Sequence, residues 1–210
     1  MMRRSVFVGL GLVTLASVVG CTPQPAPPTP SASFSRTPWV MPAVVGDIVS
    51  SSPLEADEWV IAMRKADLGS VFAFSAADFS IEPFRSTSTP ERAESQYEFF
   101  LRRWTGREAY PLWPGPSILL PLEVDVTDED HASVRFCDGS DYWIDEDESR
   151  LQNGVVAISQ LVRTDDGIRE HDSSLTVERC DATGAPIARF DPALQPLGPI
   201  AKADVVPPEE

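Results

Sequence analysis

The hydrophobic pattern of this chain changes its period once, near residue 112, and this change constrains the fold more than any other feature. Before it, apolar residues recur three and four positions apart, as on one face of a helix. After it, apolar and polar residues alternate over short runs separated by Asp and Gly, as in antiparallel hairpins. Helices followed by strands predict an α+β fold, in which two to three N-terminal helices pack on a curved, mainly antiparallel sheet of about five strands.

Each of the two clear helices opens with a hydroxyl residue followed by proline, a common helix start. The first is expected to begin at Ser52, with Glu55 closing a capping box, and to end or bend at Gly69. The second is expected to run from Thr89 to about Trp104. Between the helices, a short helix or turn is expected to pack three aromatic residues into the core: Phe72, Phe74 and Phe79.

Large side chains on the apolar faces of these helices are our candidates for lining a ligand pocket. They are Trp59, Met63, Tyr97, Phe100 and Trp104. Buried core is the alternative interpretation of the same residues, because large apolar side chains at helical spacing commonly pack in the interior. The pocket interpretation requires that these side chains line a cavity in the folded protein.

Five runs with the composition of strands follow the helices: 118–126, 131–138, 141–146, 154–164 and 173–180. The separators between them are short, which implies that neighbouring strands are antiparallel and that the sheet is a meander. The composition along the chain predicts four parts: a signal peptide (1–20), a lipidated cysteine with a Pro-rich tether (21–37), a single α+β domain (38–190) and a Pro-rich flexible tail (191–210).

The first residues predict export and attachment of lipid. Arg3 and Arg4 precede the apolar run Val6–Val19, which is shorter than the ~20 residues that span a bilayer. The end of this run and Cys21 resemble the lipobox of bacterial lipoprotein signals, which implies a diacylglyceryl thioether and acyl chains such as palmitate on Cys21. We therefore expect a protein anchored by lipid to the extracytoplasmic face of the cell membrane. A cleaved signal without lipid and a buried N-terminal helix remain the alternatives.

The cysteine count agrees with this interpretation. The chain has three cysteines, and lipid on Cys21 leaves Cys137 and Cys180, both in strand-like sequence. In an oxidising compartment the pair is expected to form a disulfide, with two separate buried thiols as the alternative. A metal site is not expected, because neither cysteine has another Cys or a His at ligand spacing.

The charge excludes one class of partner. The chain carries 17 Lys and Arg residues against 32 Asp and Glu residues, a formal net charge of −15. Removal of Arg3 and Arg4 with the signal peptide would leave 15 basic residues and a charge of −17. Such a chain repels nucleic acid, and no basic stripe is present to override the repulsion.

These features together resemble a known family. The shared features are a lipobox, a Pro-rich spacer, a first helix with Trp59 and Ala62, a second helix ending near Trp104, and a meander carrying VRFC and VERC. In these features the chain resembles bacterial lipoproteins with a nuclear-transport-factor-2-like cone domain. Ketosteroid isomerases and small polyketide cyclases belong to the same superfamily. The resemblance covers about residues 54–180 and implies a curved sheet that wraps helices around a cavity.

In the enzymes of that superfamily the cavity holds an acid–base Asp or an Asp–His pair. The two histidines, His131 and His171, lie in Asp- and Glu-rich segments that we interpret as turns, where a solvated side chain is expected. The strand parity of Asp125 with Val124 and Val126 places its side chain on the solvent face. The sequence contains no nucleophile elbow, zinc-binding helix motif or phosphate-binding glycine loop. We therefore assign no catalytic residue.

A run of acidic residues offers the oxygen ligands that Ca²⁺ prefers: Asp138, Asp141, Asp145, Glu146, Asp147 and Glu148. The run lacks the spacing of a dedicated calcium loop, so we interpret it as a solvated hairpin and expect no metal or cofactor.

Two functions follow as hypotheses. The first is a non-enzymatic, lipid-anchored envelope protein whose domain binds a partner protein or a small apolar ligand. The second is an enzyme of the isomerase or cyclase type that acts on a lipophilic small molecule, which requires a carboxylate facing into a deep pocket.

Overall fold

The computed structural model describes residues 39–107, 112–194 and 198–209. The predicted signal peptide, Cys21 and the tether lie outside these ranges. Within them, no helix combines the length and the apolar character needed to cross a membrane. The protein has an α+β fold, in which helices pack on a curved antiparallel sheet.

Three α-helices precede the main sheet: α1 (Glu58–Ala76), α2 (Glu82–Arg85) and α3 (Pro90–Trp104). Thr89 is the N-cap of α3, and its side chain accepts a hydrogen bond from the backbone N–H of Arg92, as the sequence predicts. The start of α1 differs from the prediction. Ser52 caps a short 3-10 helix, Pro53–Ala56, and Asp57 caps α1 itself.

The prediction named Gly69 as the end of the helix or a bend in it; Gly69 lies inside α1, so the helix does not end there. The helix continues to Ala76 and includes Phe72 and Phe74. A Cβ atom at position 69 would lie 2.4 Å from the backbone carbonyl oxygen of Pro83. The missing side chain therefore lets the α2 segment pack directly against α1, and packing explains the glycine better than helix termination does.

The main sheet has four antiparallel strands in the order β2 (Leu119–Val126), β3 (His131–Asp138), β4 (Gly154–Thr164) and β5 (Gly167–Cys180). Its meander topology agrees with the prediction. The register shifts between Pro121 and Glu123, and two further shifts occur where β4 pairs with β5. Such bulges bend strands, so they account for the curvature of the sheet. A separate ribbon pairs β1 (Ala43–Val45) with β6 (Arg189–Asp191).

The predicted strand at 141–146 was wrong. This segment contains a 3-10 helix, Ser140–Ile144, and a second one follows at Glu148–Asn153. Trp143 is buried there, and its indole N–H donates a hydrogen bond of 3.1 Å to the carbonyl oxygen of Pro116. The buried aromatic residue therefore fixes a compact turn where the sequence suggests an extended hairpin.

Two hydrophobic cores include residues of α1, one near its N-terminal end and one near its C-terminal end. One joins α1 to the sheet and includes Trp59, Met63, Val134, Phe136 and Leu161. The other joins α1 to α3 and includes Phe79, Phe100, Ile200 and Val205. Ile200 and Val205 are only 2% and 5% exposed, so the prediction of a flexible tail was wrong for this part of the chain. The backbone of Val206 also bonds to Ala77 and Phe79 at the end of α1.

The predicted disulfide is present. Cys137 in β3 and Cys180 at the end of β5 are bonded, with their Cα atoms 5.8 Å apart. The bond lies in a third core with Ile118, Trp143 and Leu151. Gly154 begins the intervening strand β4, and a Cβ atom there would lie 2.8 Å from the sulfur of Cys137.

Candidate functional site

A cavity of about 190 Å³ lies between α1, α3 and the face of the main sheet on which they pack. We call it the inner cavity. The side chains of three carboxylic acids reach it from three different elements, α1, β3 and β5. The residues that line it include Met63, Asp67, Arg92, Gln96, Asp138 and Glu170.

A second space of about 480 Å³ adjoins the inner cavity, and we call it the outer groove. The two spaces share four lining residues: Ser70, Arg92, Gln96 and Ser173. Three aromatic residues, Phe74, Phe99 and Trp113, line the outer groove together with Val71, Leu112, several serines and Arg102. Phe99 is 48% exposed, which is high for a phenylalanine on a helix that packs into the domain. The site therefore combines a polar inner end with an outer groove that offers aromatic surface.

Asp67 lies one helical turn beyond Met63, on the face of α1 that packs toward the sheet. The hydroxyl of Ser117 donates a hydrogen bond of 2.8 Å to its Oδ1 atom. Among the described residues, Ser117 is the one hydrogen-bond partner of this carboxyl group. Burial is the main reason that the pKa of Asp67 is raised to about 7, and the nearby charges of Asp138 and Glu170 raise it further.

Asp138 is the last residue of β3 and lines the inner cavity opposite α1. Its Oδ1 atom accepts a hydrogen bond of 2.8 Å from the backbone N–H of Ser140. Burial raises the pKa of this carboxyl group, and the charge of Asp141 acts in the same direction. Two carboxyl groups with raised pKa values therefore border one small space.

Glu170 is the third carboxylate, and it is paired. It is 6% exposed, and its Oε2 atom accepts a hydrogen bond of 2.9 Å from Nε of Arg92 on α3. Its Oε1 atom accepts one of 2.8 Å from the hydroxyl of Ser159. Arg92 also donates to the hydroxyl of Ser173. This buried ion pair connects α3 to β5, and a hydroxyl group adds a hydrogen bond to each charged side chain.

The charges that line the inner cavity do not balance. Among the described residues that line it, Arg92 is the one cation, and Glu170 neutralises it. Arg64 lies close enough to lower the pKa of Asp67, but it forms its own ion pair with Glu55. Asp67 and Asp138 therefore face the cavity without a cationic partner of their own.

Of the five predicted pocket residues, Met63 lines the inner cavity. The other four lie in hydrophobic cores. Trp59 is in the core between α1 and the sheet, whereas Tyr97, Phe100 and Trp104 pack in the core between α1 and α3. For these four residues the helical spacing therefore reflects packing in the core, which was the alternative interpretation of the pattern.

The histidines lie away from the inner cavity. His131 begins β3, and its Nδ1 atom is 2.8 Å from Oδ1 of Asp128 on the surface. His171 is exposed within β5, which starts earlier than predicted and absorbs the expected turn. Asp125 is exposed, as its strand parity predicts. His131 and Asp128 thus form a pair on the surface, whereas the family resemblance implies an Asp–His pair inside the cavity.

The acidic run divides between two environments. Asp138 faces the inner cavity, whereas Asp145 pairs with Arg150, and Glu146 pairs with Arg189 on the surface. Within the described parts of the chain, no group of three or more His, Cys, Asp or Glu residues could hold a metal ion.

The sequence did not single out Asp67 or Glu170, and the interpretation of Asp138 as part of a solvated hairpin was wrong, because it lines the inner cavity. Asp67 and Asp138 nevertheless carry a signal. Trp59, Met63 and Asp67 are four residues apart, which puts an acid on the apolar face of α1. In the same way, Asp138 shares the strand parity of buried Val134 and Phe136. A charged residue that shares the helical or strand periodicity of buried apolar neighbours is therefore the sequence signal for such a site.

Comparisons of this chain with protein-family models, with curated proteins and with solved structures find no match. The inner cavity and the outer groove are therefore the features that bear on the function.

Proposed function

We propose that this protein is a lipid-anchored envelope protein whose domain binds a small amphipathic molecule. The polar end of the molecule would lie in the inner cavity, and its apolar part would lie in the outer groove. The observation that carries the proposal is the continuity of the two spaces through Ser70, Arg92, Gln96 and Ser173.

The dimensions and the lining support a small ligand. Pockets for small molecules typically enclose roughly 300–1,000 Å³ and combine apolar walls with a few convergent polar groups. The outer groove, at about 480 Å³, lies within that range, and the inner cavity extends it. Phe74, Phe99 and Trp113 offer large apolar surfaces, each of which contributes to affinity when a ligand covers it.

The N-terminal sequence supports ligand binding close to a membrane surface. Lipid on Cys21 and the Pro-rich tether would hold the domain within some tens of ångströms of a membrane. Amphipathic molecules concentrate at that surface, so a domain on such a tether meets them there. The similarity to nuclear-transport-factor-2-like lipoproteins stays a prediction, supported by the order of the elements and by a cavity between helices and sheet.

The first prediction concerns the passage between the two spaces. Replacing Ser70 with Phe should fill the passage and weaken the binding of Nile red, a neutral apolar fluorophore, at least tenfold. The assay is fluorescence titration of the mature chain from Thr22 onward, which contains all the described residues and needs no detergent. Circular dichroism and thermal melting verify that the variant is folded.

Lys65→Phe is the matched control, because Lys65 is exposed on the same helix and lines neither space. It should bind Nile red as the unmodified chain does. Equal affinity of the Ser70→Phe and unmodified chains would place the probe elsewhere and contradict the proposal.

A second prediction concerns the anchor. Changing Cys21 to Ala removes the thiol that would carry the lipid, so the variant should appear as uncleaved precursor or in the soluble fraction. Membrane fractionation with mass spectrometry of the N-terminus measures both outcomes. A Cys21→Ala variant that is processed normally and stays in the membrane fraction would contradict lipid anchoring.

Proton transfer is a second candidate function, and Asp67 is the observation that favours it. A carboxyl group with a pKa of about 7 inside a cavity suits general acid–base work near neutral pH. The chemistry would be of the isomerase or cyclase type on a lipophilic molecule. The two candidates differ in the fate of the bound compound, which a binding protein releases unchanged and an enzyme releases with a proton moved or a ring closed.

A further inference from the structure

We infer that the ligand is a cation: an amphipathic molecule with a protonated amine that lies between Asp67 and Asp138, and with an apolar body that lies along the outer groove. This inference rests on the proposed function and names the chemical class of its ligand.

The first argument is the balance of charge. Arg92 and Glu170 neutralise each other, so the charges left at the inner cavity are those of Asp67 and Asp138. An ionised carboxylate away from water is costly unless a cation and hydrogen bonds compensate it. The described side chains that line the cavity supply no second cation. A ligand that brings one positive charge would compensate one of these two carboxylates and share its N–H donors with the other.

The second argument is hydrogen bonding. Asp67 accepts one hydrogen bond through Oδ1, from Ser117, and among the described residues no other hydrogen bond to this carboxyl group is formed. Asp138 accepts hydrogen bonds from the backbone and the side chain of Ser140. An ammonium group has three N–H donors and no acceptor, so it matches a pair of carboxylates that have acceptor capacity left.

The remaining ligand classes fit less well. In the inner cavity an anion would meet the charges of Asp67 and Asp138, and Arg92, the one cation among the described lining residues, is engaged by Glu170 and Ser173. A metal ion such as Ca²⁺ takes 6–8 oxygen ligands, and the described residues provide no cluster of three acidic or other ligating side chains. The aromatic side chains of the outer groove suit an alkyl or ring system joined to the amine.

The test compares n-octylamine, n-octanol and octanoate, which share one chain length and differ in the charge of the head group. Each competes with Nile red on the mature chain from Thr22 at pH 8, below the concentration at which it forms micelles. Alkylamines, like lysine, stay protonated at this pH. The amine should bind at least tenfold more tightly than the alcohol, and octanoate should bind most weakly.

Asp67→Asn should reduce the preference for amine over alcohol to threefold or less. Asp125→Asn is the matched control, because it removes an exposed carboxylate of the same type outside both spaces, and it should keep the full preference. Thermal melting of both variants verifies that they are folded.

The pH dependence provides an independent readout. The charged groups around Asp67 are Arg64 on its own helix, Arg92 on α3, Asp138 on β3 and Glu170 on β5. Because Asp67 must be ionised to bind a cation and its pKa is about 7, affinity for octylamine should fall by about tenfold from pH 8 to pH 6. Affinity for octanol should change little.

The contrary results differ in whether they overturn the cationic ligand alone or the proposed function as well. Equal affinity for octylamine and octanol, with Nile red still lost on Ser70→Phe, would overturn the cation and leave small-molecule binding in place. Tighter octanol binding at pH 6 than at pH 8 would point to a protonated Asp67 that donates to a neutral ligand, and would also overturn it. Displacement of Nile red by Ca²⁺ at millimolar concentration, as strong as displacement by the amine, would assign a metal instead. If no octyl compound displaces Nile red, both proposals fail.

Discussion

Replacing Cys137 and Cys180 together with serine should lower the free energy of unfolding by about 4 kcal/mol. The two cysteines are 43 residues apart, so their bond removes a large part of the conformational freedom of the unfolded chain. For a domain of this size, the loss corresponds to a fall in melting temperature of roughly 10 °C. Urea denaturation of the mature chain, followed by circular dichroism, measures the difference directly.

The unmodified chain treated with a reductant is the control for this experiment. It should melt at nearly the temperature of the double serine variant, because both lack the bond and keep side chains of similar size. If reductant leaves the melting temperature unchanged, and free-thiol labelling shows that both thiols are reduced, the bond contributes no stability. Thiols that label without reductant would show that the bond is not formed in the protein.

Changing Asp67 to Asn should stabilise the domain at neutral and alkaline pH and have no effect near pH 4. The pKa of Asp67 is about 7 in the folded domain against an ordinary value of 3.8. Between these two values the folded chain keeps a proton that the unfolded chain has lost, so stability falls as pH rises, by about 1.4 kcal/mol per unit. By pH 8 the loss amounts to roughly 4 kcal/mol, and an asparagine does not incur it.

Urea denaturation at intervals from pH 4 to pH 8 tests this expectation. The difference in unfolding free energy between Asp67→Asn and the unmodified chain should grow steadily with pH and level off above pH 7. Asp125→Asn, which removes an exposed carboxylate, should show no such growth. Parallel curves for the Asp67→Asn and unmodified chains would mean that Asp67 ionises in the folded domain as readily as in the unfolded chain. A residue that lowers stability at the pH of use is commonly retained for function.

Local signals in the sequence were enough to predict several elements. The Thr89-Pro90 pair marks the start of α3 because a hydroxyl cap and a fixed φ angle act within one turn of the chain. The alternation of apolar and polar residues likewise predicts β2, β3 and β4, since one face of the sheet is buried. The disulfide followed from the number of cysteines and from their places in two strands.

Contacts between distant segments could not be predicted in this way. In the sequence, Gly69 has the appearance of a helix end, but its role is to let Pro83 pack against α1. Likewise, 141–146 has the pattern of a strand, but the hydrogen bond from Trp143 to Pro116 holds it in a compact turn. Asp67 is the same kind of case, because its environment is made by residues of β3 and β5 that lie far away in the sequence. The elements were thus predictable from local pattern, whereas the site that they enclose was not.

The packing of the C-terminal segment also has a practical consequence. Residues 198–209 look like a spacer in composition, yet Ile200 and Val205 fill the core between α1 and α3, and Val206 is bonded to the end of α1. A shortened expression clone that stops before Ile200 would open this core to water. An affinity tag or fluorescent fusion should therefore be joined after Glu210, where it leaves the packing of Ile200 and Val205 undisturbed.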